Sequence, residues 1–425
     1  MINKRYFIFI LISLFIITGC KTENKEKTTI SIASGSIGSD FSVLETQLSV
    51  FERLNPDIKI DFLETPETDS GKYKRYVDWL KDENSGVDVY VTDIVWTTEF
   101  AKNGWILPLN DYIKGRIDMS DFLDSTVKAN TWNGNIVAFP WFTDAGVLYY
   151  RKDLLDKYGF SLPHTWDEIK IISKEIVKNE IKEHPHMVGF VFQADKYEGL
   201  VANYLEYVWS YGGDVISDNN KVILNSPQSV KGLTTYCDML TISSKGITAF
   251  QEEDGRNYFQ SGNSVFMRNW PYAYTLLNSD MSAVKGKFAI APLPAGKKGY
   301  KNVSALGGWN LVISARSKHP KEAFRLIEFL TSKEQQCFKA IKLGQNPTRK
   351  SCYSDEDIIK VNSSISYLFD IVKLARPRPV QPEYNRISRI IQMEVHYALE
   401  GNVKPDIATS RMAQSIEKII SEQEF

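Results

Sequence analysis

Residues 29–62, TISIASGSIGSDFSVLETQLSVFERLNPDIKIDF, contain the alternation of elements that decides the fold. The first five residues alternate polar and apolar side chains, which is typical of a strand. The middle places Leu44, Leu48 and Phe51 on one stripe of a helix, and the last six residues return to a strand pattern. Strand, helix and strand in this order predict two parallel strands joined by a helical crossover.

The same alternation continues downstream. Residues 72–83 predict a second helix, and Val87, Val89 and Val91 then alternate with polar residues until the segment ends at Asp93. A β-α-β-α-β order predicts a mostly parallel sheet with helices on both faces, and therefore an α/β fold.

The middle of the chain contains a second series of strands and helices without any internal repeat. Its predicted elements are strands at 146–150 and 264–268, a long extended segment at 306–314, and helices at 153–158, 198–211 and from Trp166, Pro227 and Pro320 onward. A series of this kind, placed between two parts of another, predicts one α/β lobe inserted into a second. The connections are expected near 139–144 and 304–309, with a third near residue 355.

The two predicted lobes have the following bounds: 30–139 plus 308–355 for lobe 1, and 140–307 plus 356–425 for lobe 2. Lobes joined by several extended segments can open and close as a hinge. Ligands of α/β folds bind at the carboxyl ends of the strands, so we expect a central cleft between the lobes to hold the ligand.

The beginning of the chain has the pattern of a secretion signal. Lys4 and Arg5 precede an apolar run at 6–17, and a small-residue site then leads to Cys20. The site resembles a bacterial lipobox, which implies a signal peptide at 1–19, a lipid on Cys20 and a flexible tether at 20–29. The alternative is an uncleaved anchor helix, but the run is shorter than the ~20 residues that a span needs. We therefore expect a lipid-anchored protein on the extracytoplasmic face of a bacterial cell membrane.

Charge and cysteine usage narrow the function classes. The formal net charge is −1 with no block of like charge, which argues against nucleic acid as a partner. Apart from Cys20 the cysteines are Cys237, Cys337 and Cys352, so at most one disulfide can form within the chain, and Cys337–Cys352 is the candidate. No cysteine and histidine spacing indicates zinc, and we expect neither a metal nor a cofactor.

Several short motifs are spread over nearly the whole mature chain. They are FPWFTDAGVLYYRKDLL at 139–155, GFVFQ at 189–193, YEGL at 197–200, RNWPYAY at 268–274, APLP at 291–294, LGGW at 306–309 and RPRP at 376–379. In this order the chain resembles the sugar-binding subunits of ABC importers, the family 1 extracellular solute-binding proteins, and is most similar to their trehalose/maltose-binding branch.

The resemblance implies a two-lobed periplasmic-binding-protein-like fold of type II. It also implies that the chain captures a sugar, with an α-linked disaccharide such as trehalose or maltose as the expected ligand, and delivers it to an ABC permease. We expect a monomer. Relatives often carry Tyr at the position of Phe142, so one hydroxyl contact is absent here, and this leaves the exact sugar open.

A sugar presents C–H faces that suit aromatic rings and hydroxyls that suit carboxylates and amides. Asp93 ends a strand, where α/β lobes present ligand contacts; its other interpretation is a helix N-cap. Asp144 lies between Trp141-Phe142 and a strand, and an acid in such apolar surroundings needs a partner. The sugar is the partner that we expect for Asp144, and a salt bridge or a turn cap is the alternative.

The expected stacking platform is Trp270 and Tyr272, which Pro271 holds apart in a stiff turn; ordinary core packing is the alternative. Gly307 and Gly308 would let a ligand approach the backbone, although a hinge would also need their flexibility. Trp309 would add a ring face or seal the cleft.

Arg378 lies between two prolines, and its guanidinium fork can bond two hydroxyls at once, although a surface arginine is the alternative. Tyr384 is a weaker companion. In the first lobe Asp40 and Arg75 match the family contacts only loosely, and an N-cap and an exposed helix charge account for them equally well.

Two other functions remain open from sequence alone. One is a cell-surface enzyme acting on glycosides, which would need two carboxyl groups about 5–9.5 Å apart across the bond. No nucleophile elbow, HExxH, P-loop or GxGxxG motif supports such chemistry, so we expect no enzyme activity. The other is a surface interaction protein without a small ligand.

Overall fold

The structure, a computed structural model, describes residues 27–35, 38–66, 68–217 and 219–422. The predicted signal peptide, the lipidation site Cys20 and most of the tether lie outside the described residues. Within the described residues, no helix combines the length and the apolarity needed to cross a bilayer.

The strands are β1 (Thr28–Ser34), β2 (Ile58–Glu64), β3 (Val89–Asp93), β4 (Thr131–Trp132), β5 (Asn135–Ile136), β6 (Phe139–Ala145), β7 (Val147–Arg151), β8 (Val188–Val191), β9 (Ser264–Asn269), β10 (Phe288–Ala291), β11 (Leu306–Ile313) and β12 (Asn346–Pro347).

The helices are α1 (Gly38–Leu54), α2 (Asp69–Lys81), α3 (Thr97–Lys102), α4 (Asn110–Ile113), α5 (Asp124–Ala129), α6 (Lys152–Tyr158), α7 (Trp166–Glu180), α8 (Glu198–Ser210), α9 (Pro227–Asp238), α10 (Glu252–Gln260), α11 (Ala273–Leu277), α12 (Pro320–Leu330), α13 (Lys333–Leu343), α14 (Glu356–Val361), α15 (Ile365–Lys373), α16 (Tyr384–Leu399) and α17 (Pro405–Ser421).

Local chemistry sets the helix ends that the sequence predicts. Thr165 and Glu168 form a reciprocal capping box at the start of α7. Pro227 is the first residue of α9, where its missing N–H costs no helical hydrogen bond. Gly159 ends α6 in the left-handed conformation, with φ 70°, as C-terminal glycines commonly do.

Two large sheets and a small one organise the described residues. Six strands form the first sheet in the order β12-β6-β11-β3-β1-β2, four form the second in the order β10-β7-β9-β8, and β4 pairs with β5 in the third. The fold class is therefore α/β with two lobes, as the sequence predicts.

The expectation of a mostly parallel sheet is wrong. Strands β1, β2 and β3 are parallel, as their helical crossovers require. Strands β6 and β11, however, pair antiparallel with each other, and β11 also runs antiparallel to β3. The reason is that β6 and β11 connect the two lobes, so their directions are set by the crossings and not by local β-α-β units.

The chain crosses between the sheets at closely spaced points. Only Gly146 separates β6 from β7, and its N–H donates to the carbonyl of Ala305, just before β11. Arg376 pairs with the same segment, because its N–H donates to the carbonyl of Ser304 while Leu306 donates to the carbonyl of Arg376. Three chain segments thus run side by side where the two lobes meet.

The lobe bounds themselves stay predictions. The boundaries 139/140 and 307/308 fall inside β6 and β11, which belong to the six-stranded sheet over their whole length. Helices α14 and α15, predicted in lobe 2, contact α13 and β6 respectively. The strand ends near Ala145 and Leu306 are therefore closer to the observed crossings.

Candidate functional site

A cavity of about 620 Å³ lies where the two sheets approach each other. All nine residues that the sequence predicts as ligand contacts line this one cavity: Asp40, Asp93, Asp144, Trp270, Tyr272, Gly307, Gly308, Trp309 and Arg378. Their convergence is a fact of the fold, whereas their contact with a ligand stays a prediction.

Pairing between strands brings the two ends of the predicted site together. In the register of β11, Gly307 faces Asp144 on β6 and Trp309 faces both Phe142 on β6 and Asp93 on β3. The sheet therefore places two acids, two glycines and an indole on adjacent strands, although 51 positions separate Asp93 from Asp144 in the numbering.

Asp93 serves the turn after β3 and also lines the cavity. Its Oδ1 accepts from the Val95 N–H at 3.0 Å and lies 3.6 Å from a guanidinium nitrogen of Arg378. Burial raises the pKa of Asp93, and the Arg378 charge opposes that rise. The helix N-cap alternative is wrong, because the N-cap of α3 is Trp96, while the turn bond of Asp93 is compatible with its position at the cavity.

Arg378 is buried and held by an acid that the sequence analysis missed. Its guanidinium donates to Glu198 Oε1 at 2.6 Å. The same oxygen accepts from the Tyr384 hydroxyl, and the other Glu198 oxygen accepts from Ser388. Tyr384 is fully buried behind this pair and is not among the residues lining the cavity, so it supports Arg378 and does not face the ligand space.

The predicted platform is oriented by charged groups. The guanidinium of Arg268 lies 4.0 Å from the centroid of the Trp270 ring, and it is paired with Glu206 in a fully buried ion pair at 2.6 Å. Trp270 Nε1 donates to Glu252 at 3.1 Å, and the Tyr272 hydroxyl donates to Glu253 at 2.7 Å. A cation over an indole and a hydrogen bond at its edge both restrict the ring, so the platform is preorganised.

A side chain is disfavoured at Gly307 and at Gly308 for different steric reasons. A Cβ at Gly307 would lie 3.2 Å from the Trp270 ring and 3.4 Å from the Asp144 Cβ. Gly308 has φ +130°, which L side chains rarely adopt, and a Cβ there would lie 2.4 Å from the carbonyl oxygen of Phe142. Gly307 thus keeps the space beside the platform open, while Gly308 allows β11 to lie close to the backbone of β6.

Asp144 is electrostatically the most perturbed of the predicted acids. Its Oδ1 is buried and accepts no hydrogen bond from the described residues. Burial, and after it the charge of Asp40, raise the pKa of Asp144 to about 7, against the opposing charges of Arg268 and Lys339. A buried acceptor without a partner beside a cavity is suited to accept from a ligand hydroxyl.

Lys339 is a buried cation that the sequence analysis also missed. Its Nζ lies 3.2 Å from the centroid of the Trp141 ring and 4.4 Å from that of Phe142. Burial holds the pKa of Lys339 well below its usual range, although Asp40 and Asp144 oppose this effect.

Of the two candidates in the first lobe, Asp40 lines the cavity and Arg75 does not. Asp40 lies in the first turn of α1, with an exposed side chain that accepts from Gln345 Nε2 at 3.0 Å at the mouth of the cavity. Arg75 is exposed on α2, with its guanidinium 5.4 Å from the centroid of the Trp79 ring, and it is not among the residues lining the cavity.

Together these groups place flat rings, acids, a buried guanidinium and glycine backbone around one space. Such a combination matches the C–H faces and the hydroxyls of a carbohydrate. Fold and site thus define the class of two-lobed proteins that bind small polar ligands in a cleft.

The comparison with known families gives the particular family. Residues 36–336 match the family described as bacterial extracellular solute-binding protein, and the chain belongs to that family. A probable ABC transporter-binding protein of Deinococcus radiodurans is 34% identical over 397 residues, which cover 92% of this chain and 93% of that protein.

Solved structures agree with this family. The maltose-bound MalE3 of T. maritima is 40% identical, with a TM-score of 0.84 over 92% of this chain and 100% of that one. The GacH receptor of Streptomyces glaucescens, solved unliganded and in complex with acarbose, is 25% identical, with a TM-score of 0.79 over 93% of this chain and 99% of that one.

These relationships settle the general function. The chain is a solute-binding protein of the ABC-transporter type, and its place is extracytoplasmic. The relatives named above are described as binding proteins.

Proposed function

We propose that this protein captures an α-linked disaccharide, with maltose and trehalose as the first candidates, holds it unchanged and delivers it to an ABC permease. The observation that carries the proposal is the Asp144 Oδ1 acceptor, which lies buried and without a hydrogen-bond donor from the described residues, in the same cavity as the oriented Trp270 ring. A hydroxyl donor beside an aromatic face satisfies both features at once.

The size of the cavity is that of a small-molecule site. Its volume of about 620 Å³ falls within the 300–1,000 Å³ typical of small-molecule sites. The maltose in the MalE3 structure and the acarbose in the GacH structure support a glucoside in particular.

The acids around the cavity are arranged to hold a ligand, which supports binding without catalysis. Asp93 is engaged by the Val95 N–H and lies near Arg378. Glu252 and Glu253 accept from the platform residues Trp270 and Tyr272. A glycosidase needs one free acid and one free base or nucleophile across the bond. Because Asp93, Glu252 and Glu253 are engaged, none of them supplies the second free group beside Asp144.

Closure of the lobes over the sugar completes the proposed cycle. Ligand contacts come from β3 and β11 on one side and from the segments after β9 and around Arg378 on the other. A ligand favours the closed form only through contacts that the open form lacks, and a sugar that touches both lobes would supply such contacts. The protein is proposed to act as a monomer, tethered through a lipid on Cys20.

Titration calorimetry against maltose, trehalose, sucrose and lactose tests the proposal. We expect one of the α-glucosides to bind at about micromolar affinity, which corresponds to about −8 kcal/mol, and lactose to bind at least tenfold more weakly. Chromatography of the recovered sugar after long incubation should show no products. Released glucose would favour the enzyme interpretation. If no sugar produced a heat of binding, the proposal of a disaccharide ligand would be refuted.

A further inference from the structure

The wall of the cavity formed by α13 and the segment after it has two thiols directly behind it. Cys337 lies within α13 and Cys352 in a short helical segment, Lys350–Ser354. Their Sγ atoms are 2.7 Å apart, with the Cys337 thiol donating to Cys352. Both side chains are buried, so neither sulfur is placed to react with a partner protein in the folded state.

The loop between the two cysteines carries several residues of the cavity wall. Lys342, Leu343 and Gln345 line the cavity directly. Lys339 lies buried against Trp141, and Gln345 donates to Asp40. The same loop contains β12, the edge strand of the six-stranded sheet. A link between residues 337 and 352 would therefore fix the ends of the segment that closes this side of the site.

We propose that the exported protein carries a Cys337–Cys352 disulfide, which acts as a structural staple of the cavity wall. The extracytoplasmic location of the family supports the bond, because disulfides persist outside the reducing cytoplasm. Bond formation needs little movement, since the sulfurs need only approach from 2.7 Å to about 2.05 Å.

The oxidant that we name is a dithiol oxidoreductase in its disulfide form, acting while the chain folds. The thiolate of Cys337 attacks one sulfur of that disulfide, and the other sulfur leaves as a thiolate. The thiolate of Cys352 then attacks the Cys337 sulfur and releases the second thiolate. Two electrons pass to the oxidoreductase, which becomes a dithiol, and the two cysteine protons pass to it or to water. In the folded structure the Cys337 sulfur, once ionised, is stabilised by the adjacent Cys352 thiol, which lowers the pKa of Cys337.

Cys237 provides an internal control within the chain. It lies on α9, and burial raises the pKa of its thiol to about 12. It is therefore expected to stay a thiol under the conditions that join the other two cysteines.

Peptide mapping of the full chain, exported in a bacterium and extracted from its membrane, tests the bond without any sugar. The protein is denatured and alkylated without reductant, digested, and analysed by mass spectrometry. We expect the peptides of Cys337 and Cys352 to be joined, two hydrogens lighter than the sum of their reduced forms, and Cys237 to be alkylated. Alkylation of all three cysteines, or a link to Cys237, would overturn the proposal.

A melting experiment tests the stapling role. Closing a loop of about 15 residues is expected to raise the melting temperature by about 3–6 °C, so reductant should lower it for the wild type and for Cys237→Ala. The double variant Cys337→Ala, Cys352→Ala should melt at the lower temperature with or without reductant. Equal sensitivity to reductant in the double variant would refute the staple. These readouts do not involve a sugar, so they stand apart from the proposed ligand.

Discussion

The guanidinium of Arg268 lies over the ring of Trp270, 4.0 Å from its centroid, while its nitrogens bond the buried carboxylate of Glu206. One face of the indole is thus backed by a charge that cannot move without leaving Glu206 unpaired in the core, which is costly. The ring is fixed before any ligand arrives, and this lowers the entropy lost on binding.

Truncation of this ring is expected to weaken sugar binding strongly. Trp270→Ala removes the platform and should raise the dissociation constant for the best disaccharide at least tenfold, about 1.4 kcal/mol. Trp270→Phe should lose less, because it keeps a ring but not the Nε1 donor to Glu252. Calorimetry measures both. Trp132→Phe in the hairpin of β4 and β5 is the matched control and should bind like the wild type; equal losses in both Phe variants would contradict the assignment.

The raised pKa of Asp144 predicts a pH-dependent affinity. Its pKa of about 7 in the free protein means that the carboxyl is partly protonated at neutral pH. Sugar hydroxyls donate best to the ionised form, so affinity should increase as pH rises from about 6 to about 8 and then level off. Binding near pH 7 should release protons, which calorimetry in buffers of different ionisation enthalpy detects.

Asp40, Arg268 and Lys339 influence the pKa of Asp144, so the variant Asp144→Asn is the control. It should bind more weakly, at least tenfold, and should lose the pH dependence.

The same shift predicts the opposite trend for the stability of the free protein. The folded state holds the Asp144 proton up to about pH 7, whereas the unfolded chain releases it near the ordinary value of 3.8. Between these values the folded state binds more protons, so this group lowers the free energy of unfolding as pH rises. Urea denaturation at several pH values should show a smaller decline for Asp144→Asn than for the wild type. An identical decline in the two proteins would show that Asp144 is ionised throughout.

Much of the site could be predicted because its residues stand at recognisable places in the chain. Asp93 ends an alternating strand, and Trp270-Pro271-Tyr272 follows another. Glu252, however, precedes Trp270 by 18 positions at the start of α10, where acids are ordinary helix-start residues. Nothing in the sequence indicates that its oxygen reaches an indole N–H.

Lys339 and the strand directions show why the rest could not be predicted. A lysine on a helix is expected to be solvated, and Lys339 is buried because α13 packs over Trp141. Likewise, the antiparallel pairing of β6 and β11 follows from their role as connections between lobes. Both facts depend on contacts between distant segments, which local periodicity does not record.

The glycines allow a test that separates affinity from folding. Gly307→Ala places a methyl group beside Trp270 and Asp144, so it should weaken sugar binding with a small effect on the melting temperature. Gly308→Ala meets the Phe142 carbonyl oxygen at 2.4 Å in a disfavoured conformation and should lower the melting temperature markedly. Gly286→Ala is the control, because Gly286 has φ +69° with nothing within 4 Å of an added Cβ. A larger loss of stability at Gly307 than at Gly308 would contradict the steric argument.

The surroundings of Arg378 predict that substitutions of Arg378 and of Tyr384 have different effects. The first should change the affinity for sugar, and the second should change the stability. Arg378→Lys loses the fork that bonds Glu198 and lies beside Asp93, so the dissociation constant should rise at least tenfold. Tyr384→Phe removes one hydrogen bond to Glu198 behind the cavity. It should cost about 1 kcal/mol of stability while changing affinity less than threefold, since an internal hydrogen bond contributes about that much. Chemical denaturation and calorimetry on both variants separate the effects. If Tyr384→Phe weakened binding as much as Arg378→Lys did at unchanged stability, Tyr384 would have to contact the sugar, contrary to its position behind Arg378.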